Sequence, residues 1–281
     1  MKSEDMVCDK NDSISVSVER NQRWRETATI LQKTRYEEFR NPYVAIAQQE
    51  EERGVFLEDA ARARRGQWRE STFKAAEQTP LDLEIGVGNG EFLAHHAALH
   101  PERCVLGIER KFKPLVQSLK RAQRAELENA ALLRYQAGHL EEIFAPEELN
   151  NIYLFFPDPW PKTKHHKNRL VKDAFLKSTF MLQRPGSRFE IKTDNDEYFE
   201  SILECAQNSQ YDIEAQTMDL HQLTLIEENF MTQFERLWTN KGLKTKYLRL
   251  KKGDLHKSVT FADSISRKKC LKILRRWYNK K

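Results

Sequence analysis

An aspartate held between two prolines and followed by a run of cations is the arrangement in this chain best suited to chemistry. Residues 153–172 read YLFFPDPWPKTKHHKNRLVK. Asp158 lies in Pro157-Asp158-Pro159-Trp160, and behind it come Lys162, Lys164, His165, His166, Lys167, Arg169 and Lys172 with no acid among them. A carboxylate fixed by prolines can face a developing positive charge, and a cation block of this kind suits phosphate. A rigid turn with a solvated basic face is the plainer alternative, but a turn alone has little use for the acid, the indole and so many cations in one run.

A second constellation lies upstream, at Glu84-Ile85-Gly86-Val87-Gly88-Asn89-Gly90, with Glu109 about 20 residues beyond the glycines. Glycines let the backbone turn sharply and approach a ligand, and an acid at the end of the next strand can accept hydrogen bonds from ribose hydroxyls. A nucleotide-like ligand is implied. The spacing is G-x-G-x-G rather than the G-x-G-x-x-G of dinucleotide sites, which disfavours NAD. Two further segments, Thr193-Asp194 with Tyr198 and Thr232-Gln233-Phe234-Glu235, read by themselves as helix starts: Asp194 as an N-cap and Thr232 with Glu235 as a capping box.

The elements that must position these residues follow from apolar runs and breakers. Leu81–Ile85, Cys104–Ile108, Leu132–Tyr135, Ile152–Phe156 and Arg188–Lys192 read as strands, and 91–100, 112–129 and 173–182 as helices between them. Alternating strands and helices predict an α/β fold with a doubly wound, mostly parallel sheet. Glu84, Glu109, Asp158 and Asp194 then each fall at or just after a strand end. Ahead of this core, Asn41-Pro42 marks a helix start, and Arg65-Gly66-Gln67-Trp68 leads toward the first strand.

PDPWPKTKHHKNRL, EIGVGNG, GIE, Thr-Asp-x-x-x-Tyr and Thr-x-x-Glu together resemble the motifs of the bacterial tRNA (guanine-N7-)-methyltransferases, across roughly residues 40–252. The resemblance implies a class I methyltransferase of Rossmann-like fold that uses S-adenosylmethionine to form 7-methylguanosine in tRNA, at a variable-loop guanosine. It places Glu84, Gly86, Gly88, Gly90, Glu109, Gln136 and Asp158 on the donor, with Glu84 near the methionine moiety and Glu109 on the ribose. It places Lys162, Lys167, Arg169, Asp194, Thr232, Gln233, Phe234 and Glu235 on tRNA, and it makes Asp158 and Asp194 the catalytic pair. Gln136 departs from the family's usual aspartate; an amide can still bond adenine. Methylation of another RNA and a non-catalytic RNA-binding relative with a degenerate donor site are the competing readings.

Charged residues make up 32% of the 281, and no apolar run approaches the ~20 residues of a membrane span. The acidic N-terminal MKSEDMVCDKNDS is unlike a signal peptide, so a cytoplasmic protein is expected. Cys8, Cys104, Cys205 and Cys270 are scattered singly, which predicts reduced thiols and no metal site. The net charge is +5, yet residues 267–281 hold eight Lys or Arg and no acid. The domain reading is a polar leader over 1–35, a catalytic domain over 36–253 with a helical lead-in (36–78), and a basic, helical extension over 254–281. Monomer and homodimer both remain open.

Overall fold

The computed structural model describes residues 41–51, 53–222 and 229–253. The leader 1–35 and the basic extension 254–281 lie outside the described residues. The chain divides into two compact units, 1–49 and 50–281. In the first, α1 (Pro42–Gln49) begins where the sequence marks it: Pro42 occupies the first turn and the Asn41 side chain accepts the Tyr43 amide at 3.1 Å.

The second unit is built on one eight-stranded sheet of order β1-β4-β3-β2-β5-β6-β8-β7. The strands are β1 (Val55–Phe56), β2 (Leu81–Ile85), β3 (Cys104–Ile108), β4 (Ala130–Leu133), β5 (Ile152–Phe155), β6 (Arg188–Thr193), β7 (Asp212–Thr217) and β8 (Lys246–Lys251). Pairing is parallel from β1 through β6, while β8 runs antiparallel to β6 and β7. β2 and β3 are buried at every residue, as expected of strands covered by helices on both faces. Between strands run α2 (Glu58–Ala63), α3 (Trp68–Phe73), α4 (Glu91–Leu99), α5 (Phe112–Arg124), α6 (Asp173–Leu182), α7 (Asp196–Asn208) and α8 (Gln233–Thr239).

The chain moves from β2 outward to β3 and β4, then returns to place β5 on the other side of β2. The order therefore reverses between β2 and β5, and the crevice beyond their C-terminal ends is where an open α/β sheet receives a ligand. Four particulars differ from the sequence reading. The third strand lies at Ala130–Leu133, two residues earlier, and α5 ends at Arg124 rather than Asn129. Two-residue β1 is too short to leave a periodic signal. The basic stretch 241–252 contains β8, whose Lys246 and Arg249, with Lys252 just beyond, are buried because their heads reach Asp196, Glu190 and the Gln183 carbonyl.

The Arg65-Gly66-Gln67-Trp68 lead-in is a packing device. Trp68 is fully buried against Phe56 and Phe144, and its indole donates to the Ile143 carbonyl at 2.8 Å. The Glu148 carboxylate gathers the amides of Gly66, Trp68 and Ala145. No helix among the described residues is long and apolar enough to cross a membrane.

Candidate active site

Five candidate side chains stand at the C-terminal ends of five adjacent parallel strands. In sheet order they are Gln136 beyond β4, Glu109 beyond β3, Glu84 and the glycine turn on β2, Asp158 beyond β5, and Asp194 beyond β6. The topological reversal thus falls at the middle of the row.

Two acids in β2 show what distinguishes a structural carboxylate from one kept for a ligand. Asp82 is fully buried and saturated: Arg103 donates twice at 2.6 Å, His96 lies at 2.8 Å, and the Asn151 amide donates at 2.9 Å. Burial pushes Asp82 up, but His96 and Arg103 pull it below the ordinary carboxylate value. Glu84, two residues on, is equally enclosed, with Oε2 buried and lacking a hydrogen-bond partner among the described residues. Burial raises its pKa from 4.5 to about 8, against the opposing pull of the Leu93 amide and the more distant Lys192. An orphaned buried oxygen of this kind suits a cationic group arriving from outside, such as an ammonium.

The turn after Glu84 fits the same ligand. Gly86 and Gly88 have φ of 80° and 54°, and a Cβ placed on either would meet nothing within 4 Å, so the space beside them is open. Gly90 serves differently: a Cβ there would lie 2.1 Å from the Ser118 hydroxyl, so its bareness lets α4 approach α5. Glu109 is held by the Lys111 amide at 2.8 Å and the Gly88 amide at 3.3 Å, leaving lone pairs for ribose hydroxyls. Gln136 is exposed on the rim of a cleft of about 370 Å³ that it shares with Arg110, Arg134 and Tyr135. These residues fit S-adenosylmethionine: a carboxylate for its ammonium, a bare turn beside it, and an acid for its ribose.

Asp158 is exposed in a turn bracketed by Phe156 (φ 54°) and Trp160 (φ 45°). Two side chains in left-handed conformations cost roughly 1–3 kcal/mol each and persist only when neighbours impose them. The Phe156 amide donates to the Lys192 carbonyl at 2.8 Å, and Arg169 donates to the Pro159 carbonyl at 2.9 Å. Arg169 is accordingly buried, paired with Glu197 at 3.1 Å and lying over the Tyr198 ring. It shapes the turn from within and does not stand outward toward phosphate. Lys162, Lys164 and Lys167 do stand in solvent.

Asp194 is half-buried, and its carboxylate has no hydrogen bond or ion pair among the described residues. The α7 cap is its neighbour: Asn195 Oδ1 accepts the Tyr198 amide at 2.8 Å. The N-cap reading of Asp194 therefore falls away. Thr232 does cap α8, accepting the Glu235 amide at 3.1 Å. Glu235 does not return the bond; it is fully buried, with Lys192 and Asn229 each donating at 3.0 Å. Its oxygens are occupied, so it braces the segment. Gln233 joins that segment to the glycine turn through Asn89 at 3.3 Å and Glu91 at 2.5 Å, and Phe234 stands exposed beside Phe156.

Lys192 is the site residue that the sequence reading passed over. Its ammonium, buried in β6, donates to Asn229, to the Phe230 carbonyl at 3.1 Å and to Glu235, and lies 4.4 Å from the Phe155 ring centroid. Burial lowers its pKa, offset by the Glu235 charge. The available signal was a lysine inside an apolar strand. Lys192→Met should strand Glu235 and cost about 3–5 kcal/mol of stability, read as a lowered urea midpoint with unchanged m-value. A midpoint within 0.5 kcal/mol equivalents (about the surface-substitution range) would mean Glu235 finds other donors.

Residues 78–248 match a family model described as "Putative methyltransferase". The chain is 42% identical over 198 residues to a tRNA (guanine-N(7)-)-methyltransferase of Bdellovibrio bacteriovorus, covering 70% of this chain and 95% of the relative. It is 35% identical over 190 residues to the protein of that name from Clostridium novyi, covering 68% and 87%. Among solved structures, the antibiotic-resistance methyltransferase Kmr aligns at 16% identity and TM-score 0.44 over 64% of this chain and 89% of the other.

Proposed function

Since this chain belongs to the tRNA (guanine-N7-)-methyltransferase family, we propose that it transfers a methyl group from S-adenosylmethionine to N7 of a variable-loop guanosine in tRNA. The observation that carries this reading is the row of ligand-facing groups centred on the sheet's point of reversal, with an orphaned buried carboxylate on one side and an unpaired half-buried one on the other. When bound, S-adenosylmethionine supplies an electrophilic methyl group on a sulfonium.

Guanine N7 carries a lone pair and no proton, so the chain need not provide a general base. Its task is to orient N7 in line and to stabilise the cation that guanine becomes. Glu84 holds the donor at its methionine ammonium and Glu109 at its ribose, and Gln136 meets the adenine edge. Asp194 takes the guanine N1–H and exocyclic amine together, a pair of donors that adenine lacks. Asp158, beyond the neighbouring strand β5, adds negative charge near the transfer. Lys162 and Lys167 meet phosphates. The tRNA substrate argues for work in the cytoplasm.

The test is methyl transfer from labelled donor to tRNA, with the modified base mapped by cleavage chemistry specific for N7-methylguanosine. Incorporation at one variable-loop guanosine is expected; label on another base, or none, would overturn the reading. In the same assay Lys162→Ala with Lys167→Ala should raise KM for tRNA, leave donor affinity alone, and reduce the slope of log Kd against log salt by about 1.5. An unchanged slope would remove these lysines from the RNA surface.

A further inference from the structure

We propose that the exposed face of α5 is a second RNA-backbone contact, separate from the Lys162–Lys167 segment; this rests on tRNA being the substrate. Between Arg110 and Ala125 the chain carries Arg110, Lys111, Lys113, Lys120, Arg121 and Arg124 and no acid. The buried side of α5 is Leu115, Val116, Ser118, Leu119 and Ala122. Lys113, Gln117, Lys120 and Arg124 fall at i, i+4, i+7 and i+11, a single outward stripe.

What sets this face apart is the number of uncompensated charges it gathers on one helix and the turn before it. Many surface cations come with carboxylates, as Arg62 does with Asp59 and Glu142, Arg184 with Glu77 and Arg188 with Glu214; isolated lysines such as Lys177 do not, but they are single charges rather than six along one stretch. None of the six cations from Arg110 to Arg124 has an ion-pair partner among the described residues. Arg121 donates to the Asn89 carbonyl at 3.0 Å and Arg124 to the Lys120 carbonyl at 3.0 Å, both neutral acceptors. The neighbouring acids do not cancel the charge: Glu109 accepts the backbone amides of Lys111 and Gly88 rather than a cation, Glu126 and Glu128 lie beyond the helix end, and Glu50 accepts from Gln123. Lys120 and Arg124, one turn apart, repel each other, so the helix carries the stripe at some expense to itself.

Position makes the stripe usable by the same RNA. α5 follows β3 and returns antiparallel to it, so its N-terminal cations begin beside Glu109 at the site edge, and the helix then runs down the flank for about 20 Å. β3 and β5 flank β2 on either side, so the strands that lead into α5 and into the Lys162–Lys167 segment end about 10 Å apart. A polyanion whose target base enters the crevice between them can touch both, with its backbone continuing along α5. The tethering of Arg121 to the glycine turn keeps the stripe in register with the donor side.

Two measurements test this. In the first, the variant Lys113→Gln, Lys120→Gln, Arg124→Gln is compared with Lys177→Gln on α6, which follows β5 rather than β3. The triple variant should show tRNA affinity weakened about 10-fold, a slope of log Kd against log salt reduced by about 2, and unchanged kcat at saturating tRNA and unchanged donor Kd. Glutamine is a good helix former at exposed positions, so the fold is retained. The second needs no substitution: amine-reactive footprinting of the unaltered protein should show Lys113 and Lys120 protected by tRNA and not by donor, with Lys177 reactive throughout. Unchanged slope, unprotected lysines or lost donor affinity would each overturn the inference. Failure of the parent reading looks different, since the unaltered protein would then leave guanine N7 of tRNA unmethylated.

Discussion

Asp194→Asn protein should fold normally, bind S-adenosylmethionine with unchanged affinity, and methylate tRNA with kcat/KM lowered about 10²-fold or more, the ~3 kcal/mol scale of removing a charge-assisted hydrogen bond from a desolvated site. The change keeps side-chain shape but removes the negative charge and turns one acceptor oxygen into a donor facing the N1–H or amine of guanine. The structure makes the experiment clean. α7 is capped by Asn195, so its start does not depend on residue 194, and the Lys246 ammonium bonds the Asp194 backbone carbonyl at 2.9 Å, which the substitution leaves in place. A melting curve and calorimetric donor binding should match the parent protein while labelled-methyl transfer collapses. Near-normal transfer by the folded variant would take Asp194 out of the site.

Glu84→Gln should produce the opposite pattern, a large loss at the donor with a gain in stability at alkaline pH. The buried carboxyl is raised to about 8 in the folded protein against 4.5 ordinarily, so the folded state holds a proton that the unfolded chain releases. Stability is therefore fully retained below about pH 4.5 and declines as pH rises through 8, by as much as about 5 kcal/mol if no neighbour relaxes. Glutamine does not titrate, and the difference in urea midpoint between variant and parent should grow from pH 5 to pH 9 in the variant's favour. Donor affinity should meanwhile fall about 10²-fold, because the ammonium loses its charged acceptor. A pH-independent stability difference would mean that water or a donor reaches Glu84 Oε2 in the free protein.

Legibility in the sequence followed the range of the interaction concerned. The glycine turn, the acids at strand ends and the Pro-Asp-Pro turn declare themselves because each depends on a few consecutive residues. So does the start of α1. What escaped was set by partners distant in sequence. Lys192 and Glu235 are 43 residues apart and each looks exposed by type, yet they bury one another. Arg169 sits in a run of solvent-facing lysines but meets a carbonyl ten residues back and a carboxylate 28 residues on, and those fix it inward. Lys246, Arg249 and Lys252 made β8 read as a basic segment because cations in a strand look solvated until their acceptors are known. Assigning the cap to Asp194 instead of Asn195 was an error of one position between two residues equally fit for it.

The place of β8 in the sheet also bears on how the protein is made. β8 is the last described strand in the chain but lies between β6 and β7, and it supplies the ladder that both require. During synthesis, strands β1 through β4 have every one of their strand partners by residue 155, and β5 then lacks only β6. β6 and β7 emerge earlier than β8 and wait with open edges, the condition in which strands pair wrongly with other chains. Lys246, on β8, anchors the Asp194 backbone, so that segment is fixed only after the ribosome has released β8 from its exit tunnel. Nascent chains should thus acquire donor binding before guanine recognition, and a ribosome stalled before Lys246 is exposed would leave a species prone to aggregate instead of a slow enzyme.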